Sequence, residues 1–135
     1  MRDKIVAEAR RWLGTPYRHQ GHTLGVACDC VNLVHETMIA VGLVPRTQLP
    51  AYARRPDGTL KSMVDKYLVR TPIIEVLPGD VLLFAHPRLG PSHMGILSAP
   101  NTLIHAYAVN KCVVEHTLDS KWTQWIVGAY KAEGL

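Results

Sequence analysis

The cysteine at position 30 combines features that activate a thiol. The chain has three cysteines, Cys28, Cys30 and Cys112. Only Cys30 stands at the predicted start of a helix, directly after Asp29, a residue type that caps helix amino termini. The thiolate is the nucleophilic form of cysteine, and the partial positive charge at a helix amino terminus stabilises it. Cys30 is therefore the candidate nucleophile, and a small buried residue is the simpler structural alternative.

Two histidines on neighbouring predicted strands could act together with this thiol. His93 and His105 lie on strand candidates that are joined by a short turn at residues 100–101. Adjacent antiparallel strands could set the two imidazoles side by side, because alternation gives each histidine a defined face. A cysteine nucleophile needs a base, and that base needs a third group to orient it. Cys30, His93 and His105 could supply all three groups.

A zinc site is the competing interpretation of the same region. His19, His22, Cys28 and Cys30 are four possible zinc ligands within a short stretch of chain. The Cys-x-Cys spacing is tighter than the usual gap of about two to four residues in structural zinc motifs. The downstream histidines would also be left without a role. We therefore expect neither a metal nor an organic cofactor.

Three helical patterns must position these side chains. Apolar residues recur at helical spacing over residues 2–13, and a polar loop over residues 15–27 follows. A second helix begins at Cys30 and ends at Gly42. A third pattern covers residues 60–68.

The hydrophobic period then changes to two, which indicates strands. Turn residues separate five strand candidates, at residues 81–84, 93–98, 102–108, 112–117 and 126–131. Helices followed by strands are typical of an α+β domain with an antiparallel sheet. We expect the helix that bears Cys30 to pack against the sheet that bears the two histidines.

Length and composition predict a single domain over residues 1–135. Hydrophobic residues make up 47% of the 135 residues, which is enough for one compact core. Lys and Arg outnumber Asp and Glu by 15 to 11, but they are scattered and form no stripe interleaved with aromatic residues. Nucleic-acid binding is therefore not expected. Apolar runs are too short for membrane insertion.

The amino terminus shows no signal-peptide pattern, because a charged start leads directly into an amphipathic segment. We expect a protein that is made in the cytoplasm. Three cysteines do not form a disulfide framework, so reduced thiols are expected.

Five sequence blocks resemble the NlpC/P60 family of cysteine peptidases, and they occur in the family's order. The blocks are residues 14–18 (GTPYR), 29–34 (DCVNLV), 78–84 (PGDVLLF), 93–97 (HMGIL) and 104–106 (IHA). Each block alone is a weak signal, whereas five in order are specific. The resemblance implies a papain-like α+β fold in which the nucleophile helix packs on an antiparallel sheet.

The resemblance also implies a role for each matching residue. It makes Cys30 the nucleophile, His93 the general base and acid, and His105 the residue that orients His93. Tyr17 resembles the family's tyrosine near the oxyanion site, with a loop aromatic as its structural alternative. Asp29 resembles the acidic residue before the nucleophile and implies a substrate contact, although helix capping alone would account for it.

One block departs from the family pattern. The family usually has Ser-Gly after the cysteine, whereas this chain has Val31 and Asn32. The change falls on the first turn of the helix, so it affects the substrate pocket more than the catalytic groups. The implied substrate is the stem peptide of peptidoglycan, with the bond between D-glutamate and diaminopimelate as the expected site of cleavage.

A narrower resemblance points to the compact family members encoded with phage tails and gene-transfer particles. It rests on residues 28–30 (CDC) and on the ending that runs from residues 113–116 (VVEH) through Trp122 to residues 126–130 (IVGAY). It implies tail-tip proteins as partners and incorporation into a phage or phage-like particle. A structural tail-tip subunit that has lost activity is the alternative, because a fold alone does not imply a function.

Overall fold

The computed structural model describes residues 1–135 and places helices before most of the strands. The four α-helices are α1 (Arg2–Arg11), α2 (Cys30–Ala40), α3 (Thr59–Tyr67) and α4 (Ser120–Thr123). The eight strands are β1 (His22–Thr23), β2 (Ala27–Cys28), β3 (Val69–Thr71), β4 (Val81–His86), β5 (Gly90–Ala99), β6 (Thr102–Tyr107), β7 (Cys112–Thr117) and β8 (Ile126–Lys131). No helix has the length and apolar character needed to cross a membrane.

Six of the strands form one sheet in the order β3-β8-β4-β5-β6-β7, and β1 and β2 form a separate hairpin. Every neighbouring pair in the large sheet is antiparallel. The prediction of an α+β fold with an antiparallel sheet is thus confirmed. The central strands β4, β5 and β6 connect through short turns, which fixes their order along the chain and in space.

Local signals set the ends of α2, the helix that positions Cys30. Asp29 caps its amino terminus, where a carboxylate oxygen accepts from the backbone N–H of Asn32 at 2.9 Å. Past the carboxyl end, Gly42 adopts a positive φ of 82°, a conformation that glycine reaches without a Cβ penalty. The helix therefore starts at the residue that the sequence predicts and ends shortly before the predicted stop.

The sheet has two differently covered faces. Helices α1, α2 and α3 pack on one face, where the larger core cluster includes Ile5, Leu33, Met94 and Ile104. The opposite face carries a smaller cluster that includes Leu82, Phe84, Leu97, Leu103 and Trp122. Alternation along β5 explains the division, because Met94 and Ile96 face the helices while Leu97 faces away.

Several elements differ from the sequence-based expectation. The first helix ends at Arg11 rather than at residue 13, and β5 starts three residues before His93. The expected loop over residues 15–27 includes β1 and the first residue of β2, which pair as a hairpin. Strand β3 and helix α4 were not predicted, because three or four residues are too few to display a period.

Candidate active site

Cys30 is the first residue of α2 and lies at the floor of a cleft. Its side chain is only 8% exposed. Burial and the Asp29 carboxylate raise the pKa of the Cys30 thiol to about 12, although the backbone N–H groups of Met94, Cys30 and Val31 act in the opposite direction. The helix terminus was expected to favour the thiolate. The fold instead keeps a neutral thiol, because desolvation outweighs the helix-end N–H groups.

His93 and His105 lie together on the sheet face opposite the helices. Their Nε2 and Nδ1 atoms are 2.6 Å apart, and their ring centroids are 4.9 Å apart. Burial, together with neighbouring histidines, lowers the pKa of His93 to about 4 and that of His105 to about 2. Both imidazoles are therefore neutral near pH 7. His93 directly precedes Met94, whose backbone N–H donates to the Cys30 sulfur.

Gly95 makes room for this histidine pair. A Cβ atom at position 95 would lie 2.7 Å from Leu103 Cδ1 and 3.0 Å from His105 Cβ. The carbonyl oxygen of Ile104 would also be 3.0 Å away. Position 95 must therefore lack a side chain for β6 to bring His105 against His93.

His116 extends the pair and had no role assigned from the sequence. Its Nε2 atom is 2.7 Å from His105 Nε2, and its Nδ1 atom is 2.8 Å from the carbonyl oxygen of Thr117. Strand β7 supplies this residue, with His116 directly opposite Leu103 of β6. Alternation along the predicted strand over residues 112–117 could have placed His116 on one face. Its proximity to His105 depends on a register that the sequence does not specify.

Tyr17 lines the same cleft as Cys30. A bridge to Cys28 holds it there, flanked by hydrogen bonds from Cys28 N to Pro16 O at 2.9 Å and from Arg18 N to Cys28 O at 3.0 Å. Burial and the nearby Cys30 and Asp29 raise the pKa of Tyr17 to about 12. The hydroxyl thus keeps its proton and remains a hydrogen-bond donor.

Asp29 also borders the cleft, but its carboxylate is only 2% exposed and is held by protein donors. One oxygen accepts from Asn32 N, and the other accepts from Gln20 N at 2.7 Å and from the Tyr52 hydroxyl. The predicted helix-capping role is observed. The substrate contact stays a prediction, since a substrate donor would have to share or replace one of these partners.

Tyr52 anchors the long segment between α2 and α3 beside the cleft. Its carbonyl oxygen accepts from His19 Nε2 at 3.0 Å and from Gln20 Nε2 at 2.9 Å. Its hydroxyl accepts from Asn32 Nδ2 at 3.1 Å and donates to Asp29. Asn32, which departs from the family pattern, therefore helps to hold this segment. The residues around Tyr52, Arg54 and Pro56 form one wall of the cleft.

The four side chains of the zinc alternative do not converge. His22 is exposed on β1, whereas Cys28 is fully buried and donates from its sulfur to the Asp29 carbonyl oxygen at 3.2 Å. His19 is bound to the Tyr52 carbonyl oxygen. No three His, Cys, Asp or Glu side chains in the structure are grouped closely enough to hold a metal ion. This geometry does not support a zinc site at these residues.

Comparisons with known proteins agree with the fold. Residues 14–131 match the NlpC/P60 family. The "Probable peptidoglycan endopeptidase LytE" of Bacillus subtilis is 31% identical over 103 residues, which cover 76% of this chain and 26% of the relative. The "Gamma-DL-glutamyl hydrolase" of the same organism is 25% identical over 132 residues, or 97% of this chain and 29% of the relative. The chain thus spans less than a third of the length of both relatives.

Solved structures of low sequence identity share the whole fold. The NlpC/p60 domain of the peptidoglycan hydrolase SagA superposes with a TM-score of 0.71 at 20% identity and covers 97% of this chain and 98% of that domain. A Bacillus cereus NlpC/P60 family protein gives a TM-score of 0.74 at 18% identity, over 98% of this chain and 40% of that protein. RipD of Mycobacterium tuberculosis, described as a non-catalytic NlpC/p60 domain protein, gives 0.65 at 12% identity, over 99% and 97%. With the family match over residues 14–131 and this shared architecture, the chain belongs to the NlpC/P60 family.

Proposed function

We propose that this chain is a cysteine peptidase that hydrolyses the stem peptide of bacterial peptidoglycan. One observation carries the proposal: the backbone N–H of Met94 donates to the Cys30 sulfur, so the thiol lies beside the strand residue that directly follows the neutral His93. The Nδ1 atom of His105 is 2.6 Å from Nε2 of His93, so His105 can orient the His93 ring. A thiol, a neutral imidazole and an orienting group are the parts that nucleophilic hydrolysis needs. The similarity to LytE, a probable peptidoglycan endopeptidase, and to the peptidoglycan hydrolase SagA supports peptidoglycan as the substrate.

The reaction follows from these groups. Cys30 Sγ bonds to the peptide carbonyl carbon while its proton passes to His93. The carbon–nitrogen bond then breaks, His93 returns the proton to the leaving amine, and a thioester remains on Cys30. Water then attacks the thioester carbonyl carbon while it loses a proton to His93. The carbon–sulfur bond breaks, the product leaves as a carboxylic acid, and His93 returns the proton to Cys30 Sγ. The Tyr17 hydroxyl and backbone N–H groups at the start of α2 donate to the carbonyl oxygen as it gains negative charge.

The bond between D-glutamate and diaminopimelate is the proposed site of cleavage. Arg54 and Arg55 are exposed residues of the cleft wall, and neither takes part in an ion pair within the chain. Two free guanidinium groups suit the carboxylates that flank this bond in the stem peptide. The similarity to the Gamma-DL-glutamyl hydrolase of Bacillus subtilis supports a glutamyl linkage.

Cleavage of purified muropeptides, with products identified by mass spectrometry, tests both the activity and the bond. Cys30→Ala should lower turnover by roughly a thousandfold or more, because the nucleophile is lost. Its melting temperature should stay close to that of the wild type, since only a sulfur atom is removed. Cys28→Ala is the matched control and should keep turnover within a few-fold. Equal loss in both variants would show that the nucleophile is not Cys30.

A non-catalytic subunit is the alternative outcome of the same assay. The similar fold of RipD, a protein described as non-catalytic, shows that the architecture does not guarantee activity. Wild-type protein that binds muropeptides without cleaving them would establish that alternative.

We further propose that the protein is made in the cytoplasm and is incorporated into a phage or phage-like particle through tail-tip partners. The resemblance to compact tail-associated members supports this location. Ile74 and Val109 are 94% and 74% exposed and offer apolar contacts to such partners. Immunodetection in purified particles should find the protein, and its absence there would refute the location.

A further inference from the structure

Three histidines, His93, His105 and His116, form a line of hydrogen-bonded rings. The outermost, His116, makes one hydrogen bond whose direction is fixed. Its Nδ1 atom is 2.8 Å from the Thr117 carbonyl oxygen, which can accept a hydrogen bond but cannot donate one. The proton on a neutral His116 must therefore be on Nδ1. Its Nε2 atom is then an acceptor.

The proton position on His116 determines the proton positions on His105 and then on His93. The Nε2 atom of His105 lies 2.7 Å from the acceptor on His116, so His105 carries its proton on Nε2. The Nδ1 atom of His105 is then an acceptor at 2.6 Å from Nε2 of His93, so His93 also carries its proton on Nε2. The Nδ1 atom of His93 is left with a lone pair, which is the form that can take a proton from a thiol.

If the hydrogen bonds between the three histidines ran in the opposite direction, His93 could not act as a base. If His105 carried its proton on Nδ1, His93 would accept at Nε2 and hold its own proton on Nδ1. No lone pair on His93 would then remain for the Cys30 proton. A neutral His116 would also face the Thr117 carbonyl oxygen with an unprotonated nitrogen, so two acceptors would lie 2.8 Å apart.

We propose that His116 is a positioning residue that selects the catalytic tautomer of His93 by acting through His105. The proposal rests on the hydrolase function proposed above. Trp122 contacts all three imidazoles, with ring centroids 5.9, 5.0 and 5.6 Å from His93, His105 and His116 respectively. Trp122 hinders reorientation of the three rings. Their tautomers therefore depend on the hydrogen bond between His116 and the Thr117 carbonyl oxygen. His105 is fully buried, and its two ring nitrogens are taken up by His93 and His116.

Two substitutions at position 116 separate positioning from simple packing. His116→Ala removes the acceptor and should lower kcat by roughly ten- to a hundredfold, the range found when a group that orients a metal-binding imidazole is lost, with little change in KM. His116→Gln can place a carbonyl oxygen against His105 Nε2 and should recover most of the lost kcat. Melting temperatures of both variants would reveal any folding defect.

Nitrogen chemical shifts of the histidine rings give a readout that needs no substrate. The wild type should show His93 and His105 protonated on Nε2 near pH 7, His116→Ala should show mixed tautomers, and His116→Gln should restore the wild-type pattern. Wild-type tautomers in His116→Ala, or equal loss of kcat in both variants, would overturn the proposal. If the wild type cleaves no muropeptide, the shifts still decide the tautomer, and only the proposed hydrolysis fails.

Discussion

A single residue of α2 shows how a departure from the family pattern is accommodated. Asn32 stands where the family usually has glycine, and its side chain is only 7% exposed. Its amide donates to the Tyr52 hydroxyl at 3.1 Å, so the added polar group is satisfied. The same hydroxyl donates to Asp29. The nucleophile helix and the cleft wall are thus joined by side-chain hydrogen bonds.

Tyr52→Phe should show the strength of this link. The change removes the hydroxyl shared by Asp29 and Asn32, and leaves a buried carboxylate oxygen and amide each short of a partner. We expect the free energy of unfolding to fall by about 1–3 kcal/mol, measured by urea denaturation. Tyr67→Phe is the matched control, because Tyr67 is 47% exposed, and it should change stability little. Equal effects of the two substitutions would contradict a specific link.

The buried histidines predict how stability depends on pH. An unfolded histidine titrates near pH 6.5, whereas burial lowers the pKa of His93 to about 4 and that of His105 to about 2. As the pH falls below about 6.5, the unfolded chain binds protons that the folded chain excludes, so stability must decrease. Each such group contributes a slope of up to about 1.4 kcal/mol per pH unit.

Urea denaturation at several pH values between about 7.5 and 4.5 would measure this slope. His105→Asn should lower this slope, because the variant has one fewer histidine that binds a proton in the unfolded chain but not in the folded protein. His22→Gln should leave the slope unchanged, since His22 is exposed on β1. A wild-type stability that stays constant over this range would contradict neutral buried imidazoles.

At the level of elements, the active site depends on how closely β5 and β6 approach each other. Gly95→Ala would place a methyl group 2.7 Å from Leu103 Cδ1 and 3.0 Å from His105 Cβ. We expect a loss of about 1–3 kcal/mol in unfolding free energy and a larger relative loss of hydrolysis, because the histidine pair is forced apart. In the double variant, Leu103→Val removes the closest atom. A double-mutant cycle should therefore show stabilities that are not additive.

The elements themselves were largely accessible to sequence analysis. Period-two segments predicted the five strands that carry or surround the histidines, and the cap at Asp29 predicted the start of α2. Pairing was not accessible beyond adjacent hairpins, because register depends on contacts between distant residues. His116 was therefore placed on a strand but not in the site. Tyr52 was missed for a similar reason, since a loop residue shows no period.

At the level of the whole molecule, the basic residues matter by their location rather than their number. The formal net charge is only +4, but Arg54 and Arg55 both lie at the cleft. Arg54→Gln combined with Arg55→Gln should raise KM for muropeptides severalfold at low salt and change kcat little. Arg11→Gln combined with Lys4→Gln, at two exposed positions of α1, is the charge-matched control and should leave KM unchanged. A rise in KM that is the same in both would indicate a general charge effect.

The covered, neutral thiol of Cys30 also bears on chemical durability. Oxidation by peroxide proceeds through the thiolate and requires access, and Cys30 is 8% exposed with a pKa raised to about 12. Cys112 is less buried and should form sulfenic acid first during exposure of the resting protein to hydrogen peroxide, as mapped by peptide mass spectrometry. The Cys30 thiol should thus survive long storage in air without a reductant. It reacts only when a substrate carbonyl group is bound in the cleft.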